Sequence, residues 1–289
     1  MIGVEALQAI LLWAINDAVP TPDIASFDEE ALMVLIAYHR ITSRILLRLD
    51  AARPAWCRIG FITRLRTLQF QTRGHIKQQL VYAHAINDAV VAAGDPPPIW
   101  VKGFSGYALT NRVQNTHRSG DMDPFVANLQ GLWDVCTALG YTGKRKYTHE
   151  WAKMRLPHTD VIVDIHGWFP TLQYPDGVRN ATEKELSAAQ NPGQWHLPFL
   201  GENDNLFVGH SIMWDDLLPD SVPGVAPGTE TLRFPSSTFA CLIHCAHVFR
   251  NILTRLHFIN PIGGVRIQEL MVIDDLARLS AWLWTWHHC

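Results

Sequence analysis

The first third of the chain has the hydrophobic spacing of α-helices. Apolar residues recur at intervals of three and four positions, as at Leu7 and Ile10 near the start, which places them on one helical face. Prolines at positions 20, 22 and 54 interrupt the pattern and Gly94 ends it, because proline and glycine terminate helices. We therefore expect three helices within residues 1–95, the second running through Arg40 to about residue 50.

A change to β-rich spacing follows the run of prolines at positions 96–98. Short apolar or alternating segments between turn residues are typical of strands, whereas Asn128 and Gly140 bracket one amphipathic helix. Proline has no N–H for a sheet interior, so Pro124 is expected to end or bend the second strand. This order predicts a small mixed β-sheet within residues 96–170, not a doubly wound parallel sheet. The expected elements are a strand at 99–101, a turn and short helix from 102 to beyond 105, a strand at 121–123, a basic turn at 144–146 leading to a strand up to 156, and a strand at 161–166.

Residues 171–289 form the third expected segment. Between positions 167 and 235 the sequence is rich in proline, glycine, asparagine and aspartate. It lacks sustained periodicity, so we expect irregular cover with short helices. Helical spacing returns after Ser236. The chain is therefore expected to be an α+β protein in which N-terminal and C-terminal helical segments flank the small mixed sheet.

Composition narrows the class of protein. The chain has 289 residues, 48% of them hydrophobic and 18% charged, which is typical of a globular protein with a sizeable core. Its formal net charge of −3 provides no overall basic field for duplex nucleic acid. Apolar runs are far shorter than the ~20 residues of a membrane span, and five scattered cysteines do not suggest a disulfide framework. We expect no membrane or duplex nucleic-acid partner, and a cytoplasmic location.

Two aspartates separated by one residue, Asp121 and Asp123, are the main candidates for chemistry. Alternate residues of a strand point to the same face, so the two carboxylates would repel each other unless a proton or a cation intervenes. Asp164 lies in the β-rich run 161–166, where we expect it on the outward face together with His166. Oxygen ligands suit Mg²⁺, which also holds phosphate oxygens. A glycine turn, an Asp-x-Asp strand and a later strand aspartate together indicate two-metal phosphoryl transfer.

Three motifs, in this order along the chain, resemble those of a known family. They are Lys102-Gly103, then Arg118-Ser119-Gly120-Asp121-Met122-Asp123, then Val163-Asp164-Ile165-His166. The set resembles the uncharacterised bacterial nucleotidyltransferases of the DNA polymerase β-like superfamily, over roughly residues 80 to 280. Further correspondences follow at 139–141, 232–237, His244, His247 and 273–277.

The resemblance implies a nucleotidyltransferase core and a reaction that joins a nucleotide to an acceptor. An acceptor oxygen would attack the α-phosphorus of a nucleoside triphosphate (NTP), with release of pyrophosphate. Two Mg²⁺ or Mn²⁺ ions would be held by Asp121, Asp123 and Asp164. The acceptor is expected to be a small molecule, a sugar or a peptide, because the chain carries no basic field for nucleic acid.

Further residues are candidates for binding the triphosphate or for proton transfer. Backbone N–H groups at Gly103 and the hydroxyl of Ser105 suit phosphate oxygens, and Lys102 supplies a positive charge. Arg118 directly precedes the metal-binding strand, where its guanidinium can neutralise the leaving pyrophosphate. His166 could orient a ligand carboxylate or take a proton from the acceptor hydroxyl.

Other functions stay open at this point. Metal-dependent glycosyltransferases also use Asp-x-Asp, but a nucleotide-binding α/β region normally precedes that motif, and here those residues predict helices. A non-catalytic nucleotide-binding relative is a second alternative. Zinc would accept Cys241, His244, Cys245 and His247, the first three of which share a helical face, although cysteines also pack well in helix cores.

The walls around the metal cluster must recognise the acceptor, because metal ions and triphosphate are expected to occupy the carboxylates and the glycine turn. The available walls are the region 167–235 and the C-terminal helices. His244, His247 and Asp275 stand there at positions that the resemblance also marks. We therefore expect the C-terminal part of the chain to select the acceptor.

Overall fold

The computed structural model describes residues 3–116, 119–146, 150–170, 194–196, 208–257 and 266–286. Arg118, one of the predicted phosphate-binding residues, lies outside these ranges.

Four helices precede the first strand: α1 (Val4–Ile15), α2 (Glu29–His39), α3 (Thr42–Ala51) and α4 (Ile59–Ala92). The side chain of Asp28 caps α2 by accepting a hydrogen bond from the N–H of Ala31 at 3.0 Å. The expectation of three helices is wrong because α2 ends before Arg40. Arg40 has left-handed backbone angles of φ 57° and ψ 33°, and neither a glycine nor a proline marks this turn in the sequence.

The apolar faces of these helices form a core of their own. Trp13 of α1, Ile36 of α2 and Ile45 of α3 are buried together with Phe61 from the first turns of α4. The far end of α4 contributes Ile86 to a second core beneath the sheet. A buried side chain of this size contributes about 1.5–3 kcal/mol, so α4 is anchored at both ends.

Ten strands and five further helices follow within the described ranges. A seven-stranded sheet contains β1 (Ile99–Val101), β2 (Asp123–Phe125), β3 (Thr142–Arg145), β4 (Glu150–Arg155), β5 (Ile162–His166), β9 (Val222–Pro223) and β10 (Arg233–Phe234), and a three-stranded sheet contains β6 (Trp168–Pro170), β7 (Gln194–His196) and β8 (Val208–Met213). The helices are α5 (Ser105–Thr110), α6 (Leu129–Ala138), α7 (Trp214–Leu217), α8 (Ser237–His257) and α9 (Ile267–Trp286).

The seven-stranded sheet is mixed, as expected. Its strand order is β3-β4-β5-β2-β1-β10-β9. Strand β1 runs antiparallel to β2, whereas β2 is parallel to β5 and β1 is parallel to β10. The predicted cap of α6 is also present, since the Asn128 side chain accepts a hydrogen bond from the N–H of Gly131 at 2.9 Å. The division of the chain at residues 95 and 170 stays a prediction.

Pro124 lies in the interior of this sheet as the middle residue of β2, so the expectation that the strand ends there is wrong. The N–H groups of Met122 and Val126 bond to the carbonyls of Ile162 and His166 on β5, at 2.9 and 3.4 Å. Successive residues of a strand direct their backbone groups to opposite neighbours, so Pro124, between Met122 and Val126 at a spacing of two, also faces β5. The strand therefore continues through Pro124, and the ladder lacks one hydrogen bond because proline has no N–H.

The prediction of irregular cover between residues 167 and 235 is wrong for much of the part that the structure describes. Strands β6 to β10 lie there, and β10 completes the main sheet beside β1. Four of these five strands have only two or three residues, which is too short for hydrophobic alternation to reveal. Helices α8 and α9 then pack against each other, and none of the helices described is long and apolar enough to cross a bilayer.

Candidate active site

Three carboxylates converge at the centre of the seven-stranded sheet. Asp121 lies two residues before β2, and Asp123 is the first residue of β2. Asp164 lies in the neighbouring β5, to which Met122 is joined by a parallel bridge with Val163. One carboxylate oxygen from each aspartate lies within 4.8 Å of the others. The convergence expected from the sequence is therefore present. It arises because alternate residues on two parallel neighbours share a face.

This face is buried, which corrects the expectation that Asp164 and His166 point outward. Asp123 and Asp164 are each 2% exposed and His166 is 0% exposed. The face also carries Val101 and Phe125, which pack against Ile243 of α8 in a third apolar cluster. Cover from the C-terminal part of the chain, which strand alternation alone could not predict, makes this a lined cavity.

Asp123 receives two donors on one oxygen. Lys102 Nζ lies 2.6 Å from Asp123 Oδ1, and His166 Nε2 lies 2.9 Å from the same atom. Burial raises the pKa of Asp123, and the positive charge of Lys102 opposes that rise. His166 does not line the cavity, so its geometry fits the orienting role proposed from the sequence better than proton transfer from an acceptor.

Within the ranges described above, Asp164 has one cationic partner, and one of its two oxygens has none. Lys153 Nζ on β4 lies 3.4 Å from Asp164 Oδ2. Asp164 Oδ1 is buried and has no hydrogen-bond partner among the residues that the structure describes. Burial, followed by the charges of Asp123, Glu150 and Asp121, raises the pKa of Asp164 to about 7. The cluster therefore accumulates negative charge that a proton or a cation must offset.

Helix α4 holds the Asp-x-Asp segment from behind, a support that the sequence did not reveal. Gln79 Nε2 donates to the carbonyl of Asp121 at 3.3 Å, and His75 Nε2 contacts the carbonyl of Ser119 at 2.7 Å. Ser119 Oγ also donates to the Asp121 carbonyl, at 2.9 Å. The charge of Asp123, followed by burial, raises the pKa of Asp121. The backbone on the approach to β2 is thus fixed by side chains more than forty residues away.

The turn after β1 brings the predicted phosphate-binding residues beside this cluster. Lys102 and Gly103 both have left-handed backbone angles, with φ of 51° and 47°. A Cβ on Gly103 would lie 3.3 Å from the Asp121 carbonyl oxygen, so the turn and the Asp-x-Asp segment are in close contact. Ser105 is buried, and its backbone N–H closes the turn onto the Lys102 carbonyl at 2.7 Å. Its contact with phosphate stays a prediction.

A cavity of about 300 Å³ opens over the carboxylates. His244 and His247 of α8 line it, as expected from the sequence. Burial, followed by the charge of Lys102, lowers the pKa of His244 to about 4. Asp275 does not line it and instead forms ion pairs with Arg44 and Arg112. Four charged wall residues were not anticipated from the sequence: Arg40, Glu150, Arg266 and Glu269.

The alternative zinc ligands do not converge in the structure. Among the residues described, the only group of three or more potential metal ligands is the aspartate cluster. Cys241 Sγ contacts the carbonyl of Ile273 on α9 at 3.9 Å, whereas His244 faces the cavity. Burial, followed by the neighbouring Cys245, raises the pKa of Cys241 to about 11. Cys241 thus behaves as a packed thiol rather than a ligand.

The chain was also compared with known proteins. No family model matches it, and no curated protein does. Among solved structures it is similar to a crystal structure of ANT(2″)-Ia in complex with adenylyl-2″-tobramycin, with 14% identity, 70% of this chain and 99% of that chain covered, and a TM-score of 0.36. It is also similar to a solution structure of the antibiotic-resistance factor ANT(2″)-Ia, with 15% identity, 74% and 99% coverage, and a TM-score of 0.37. At these scores the likeness is too distant to indicate a shared function.

Proposed function

We propose that this chain is a metal-dependent nucleotidyltransferase. It transfers a nucleoside monophosphate from an NTP to a hydroxyl or phosphate of a small-molecule, sugar or peptide acceptor, and releases pyrophosphate. The observation that carries the proposal is the convergence of Asp121, Asp123 and Asp164 beside the turn at Lys102 and Gly103. The order of these motifs along the chain, which resembles the DNA polymerase β-like nucleotidyltransferases, supports the same assignment.

The carboxylate cluster fits a hard divalent cation, Mg²⁺ or Mn²⁺, with Asp121, Asp123 and Asp164 as its ligands. The fit rests on Asp164 Oδ1, which is buried without a partner in the described part of the chain, and on an all-oxygen donor set. Two such ions, when bound, would supply charge stabilisation at the transferring phosphate and lower the pKa of an acceptor hydroxyl.

The residues of the chain have separate parts in the transfer. A bond forms between the acceptor oxygen and the α-phosphorus as the bond from that phosphorus to the bridging oxygen breaks, and pyrophosphate leaves. The proton of an attacking hydroxyl passes to a carboxylate of the cluster or to water. His166 keeps Asp123 in one orientation. Lys102 is close enough to Asp123 that its ammonium can move from the carboxylate to a phosphate oxygen.

Acceptor recognition is assigned to the C-terminal wall of the cavity. His247 and Glu269 project into it from α8 and α9, and the polar lining suits a polar acceptor. The net charge of −3 continues to disfavour duplex nucleic acid, and the cytoplasmic location stays a prediction.

The two alternatives differ in what they require. A glycosyltransferase of the Asp-x-Asp kind would place a nucleotide-binding α/β region before the motif, but residues 4–92 form helices α1 to α4. A non-catalytic relative would bind nucleotide without turnover.

Incubation with each labelled NTP in Mg²⁺ or Mn²⁺ separates these possibilities. Pyrophosphate release with label transferred to an acceptor supports the proposed function. Nucleotide binding without release under every acceptor condition supports the non-catalytic relative. Binding and hydrolysis of a nucleotide-sugar in preference to every NTP supports the glycosyltransferase. Asp164→Asn is the control that should lack transfer.

A further inference from the structure

Arg40 is held in a backbone conformation that arginine disfavours. It lies at the end of α2, where its N–H bonds to the Ala37 carbonyl and the N–H of Ile41 bonds to the Ile36 carbonyl, both at 3.2 Å. This is the hydrogen-bonding arrangement in which a helix normally ends with a left-handed glycine. A side chain at φ 57° is strained. Such strain, when the surrounding structure maintains it, often marks a functional position.

The Arg40 side chain faces the cavity that contains the carboxylate cluster. Its charge interacts with those of Arg266, Glu269 and Asp121, and burial followed by Arg266 lowers its pKa to about 10. Within the described ranges, no carboxylate forms an ion pair with Arg40. Glu269 is bonded to Arg266 instead, through an ion pair at 3.6 Å and a backbone hydrogen bond at 3.1 Å.

A half-buried guanidinium beside a second guanidinium is unfavourable unless an anion lies between or across them. Asp121 and Asp123 of the aspartate cluster line the same cavity, and that cluster requires a cation. One cavity therefore contains two arginines beside a carboxylate cluster. A divalent metal bound to a polyphosphate has both charges and fits such a site.

The phosphate-binding residues expected from the sequence leave room for a further donor. Lys102 is paired with Asp123, and Ser105 is buried. Arginine is well suited to the role, because its planar fork donates two hydrogen bonds to phosphate oxygens.

We propose that Arg40, with Arg266 beside it, binds the triphosphate of the nucleotide. The N-terminal helices thus supply a substrate-binding residue to the cavity rather than only a support for the sheet. The inference rests on the proposed function, since it names the part of the NTP that this wall contacts. An anionic group of the acceptor has the same chemistry, and the experiment must distinguish the two.

The test uses Arg40→Gly, Arg40→Lys and, as a matched control, Arg278→Gln, whose arginine is exposed on α9 and paired with Asp274. Inorganic tripolyphosphate in Mg²⁺ is titrated calorimetrically into each variant without acceptor. Arg40→Gly should weaken tripolyphosphate binding by about tenfold to a hundredfold, the usual effect of losing a hydrogen bond to a charged group. Its Tm should be unchanged or higher, because glycine relieves the left-handed strain. Arg40→Lys should recover part of the affinity, and Arg278→Gln should match the wild type.

Three results would overturn the proposal. The first is equal tripolyphosphate affinity in wild type and Arg40→Gly. The second is a loss of transfer without a loss of tripolyphosphate affinity, which would place Arg40 at the acceptor. The third is a lower Tm in both Arg40 variants with no recovery of affinity by lysine, which would make the residue structural.

Failure of this inference and failure of the proposed function give different results. If the wild type transfers nucleotide but replacement of Arg40 leaves the tripolyphosphate affinity unchanged, only the inference about Arg40 fails. If no NTP yields pyrophosphate yet tripolyphosphate binding depends on Arg40, the transferase function fails and the anion site stands.

Discussion

Lys102 Nζ and Asp123 Oδ1 lie 2.6 Å apart, and Lys102 reaches this position from a left-handed turn directly after β1. The turn conformation and the ion pair therefore depend on each other. His166 binds the same oxygen from β5, so one buried carboxylate connects three neighbouring elements of the sheet.

Replacement of Asp123 should remove activity more completely than replacement of its supporting histidine. His166→Gln removes an orienting contact and should lower the rate of pyrophosphate release by about 10- to 100-fold. Asp123→Asn loses a metal ligand, so its rate should fall further than that. Steady-state kinetics and Mn²⁺ titration measure both effects. Near wild-type transfer by Asp123→Asn would refute the metal role of the cluster.

The stability of the metal-free protein should fall as pH rises from about 4 to about 7. The pKa of Asp164 is raised to about 7 in the folded state, so the folded protein retains a proton that the unfolded chain has already lost. Stability that depends on this proton is complete below the unfolded pKa and lost above the folded pKa. Thermal unfolding in EDTA across this range measures it, and Mg²⁺ should restore the Tm at the upper end.

Asp164→Asn is the control for this pH dependence. It should unfold at a higher temperature than the wild type at pH 8 without metal, and its Tm should vary less with pH and with Mg²⁺. An unchanged slope in Asp164→Asn would assign the pH dependence to other groups.

The turn at Gly103 can be compared with Gly120, which is exposed and has open space around its Cα. Gly103→Ala forces a Cβ to within 3.3 Å of the Asp121 carbonyl at φ 47°, so unfolding free energy should fall by about 1–2 kcal/mol. The KM for NTP should rise by about tenfold or more, because the N–H groups proposed to face the phosphates shift. Gly120→Ala should leave the unfolding free energy nearly unchanged. Equal NTP affinity in Gly103→Ala would place the phosphates elsewhere.

His247 tests whether the C-terminal wall selects the acceptor. His247→Ala should lower acceptor transfer by about tenfold, the loss of one or two hydrogen bonds, while NTP affinity stays within about twofold. Leu242→Ala, on the exposed side of the same helix, is the matched control. A parallel loss of NTP binding and transfer in His247→Ala would contradict the division of roles between core and wall.

Asp275 and Asp274 are adjacent but differ in burial and partners. Asp275 is buried against Arg44 at 3.4 Å and also pairs with Arg112, whereas Asp274 is exposed beside Arg278. Asp275→Asn leaves Arg44 without its carboxylate and should lower the unfolding free energy by about 3 kcal/mol. Asp274→Asn should change it by less than about 1 kcal/mol. Equilibrium denaturation compares the pair, and similar values for both would exclude this ion-pair network as a link between α3 and α9.

The parts of the site that could be predicted are those fixed by local chemistry. Strand alternation and motif order were sufficient for the convergence of Asp121, Asp123 and Asp164. The Asn128 cap and the glycine turn at 103 also follow from short-range rules.

What the sequence did not reveal depends on distant contacts. Arg40 lies in a helical hydrophobic pattern that continues past it, so its turn has no local signal. Arg266 and Glu269 reach the cavity only because α9 packs against α5 and α8. The burial of Asp164 and His166 likewise depends on cover that comes from residues far along the chain.

Strand β10 has a consequence for how the protein is made. Ile99 of β1 pairs with Arg233 of β10, so the central sheet closes only after more than 130 intervening residues have been synthesised. Long sequence separation between paired strands slows folding, because the loop-closure entropy must be overcome before the contact forms. A nascent chain that ends shortly after His166 would contain all three aspartates and yet leave one edge of the three-residue strand β1 unpaired. The complete sheet around the carboxylate cluster is therefore expected to form late, after β10 has emerged from the ribosome.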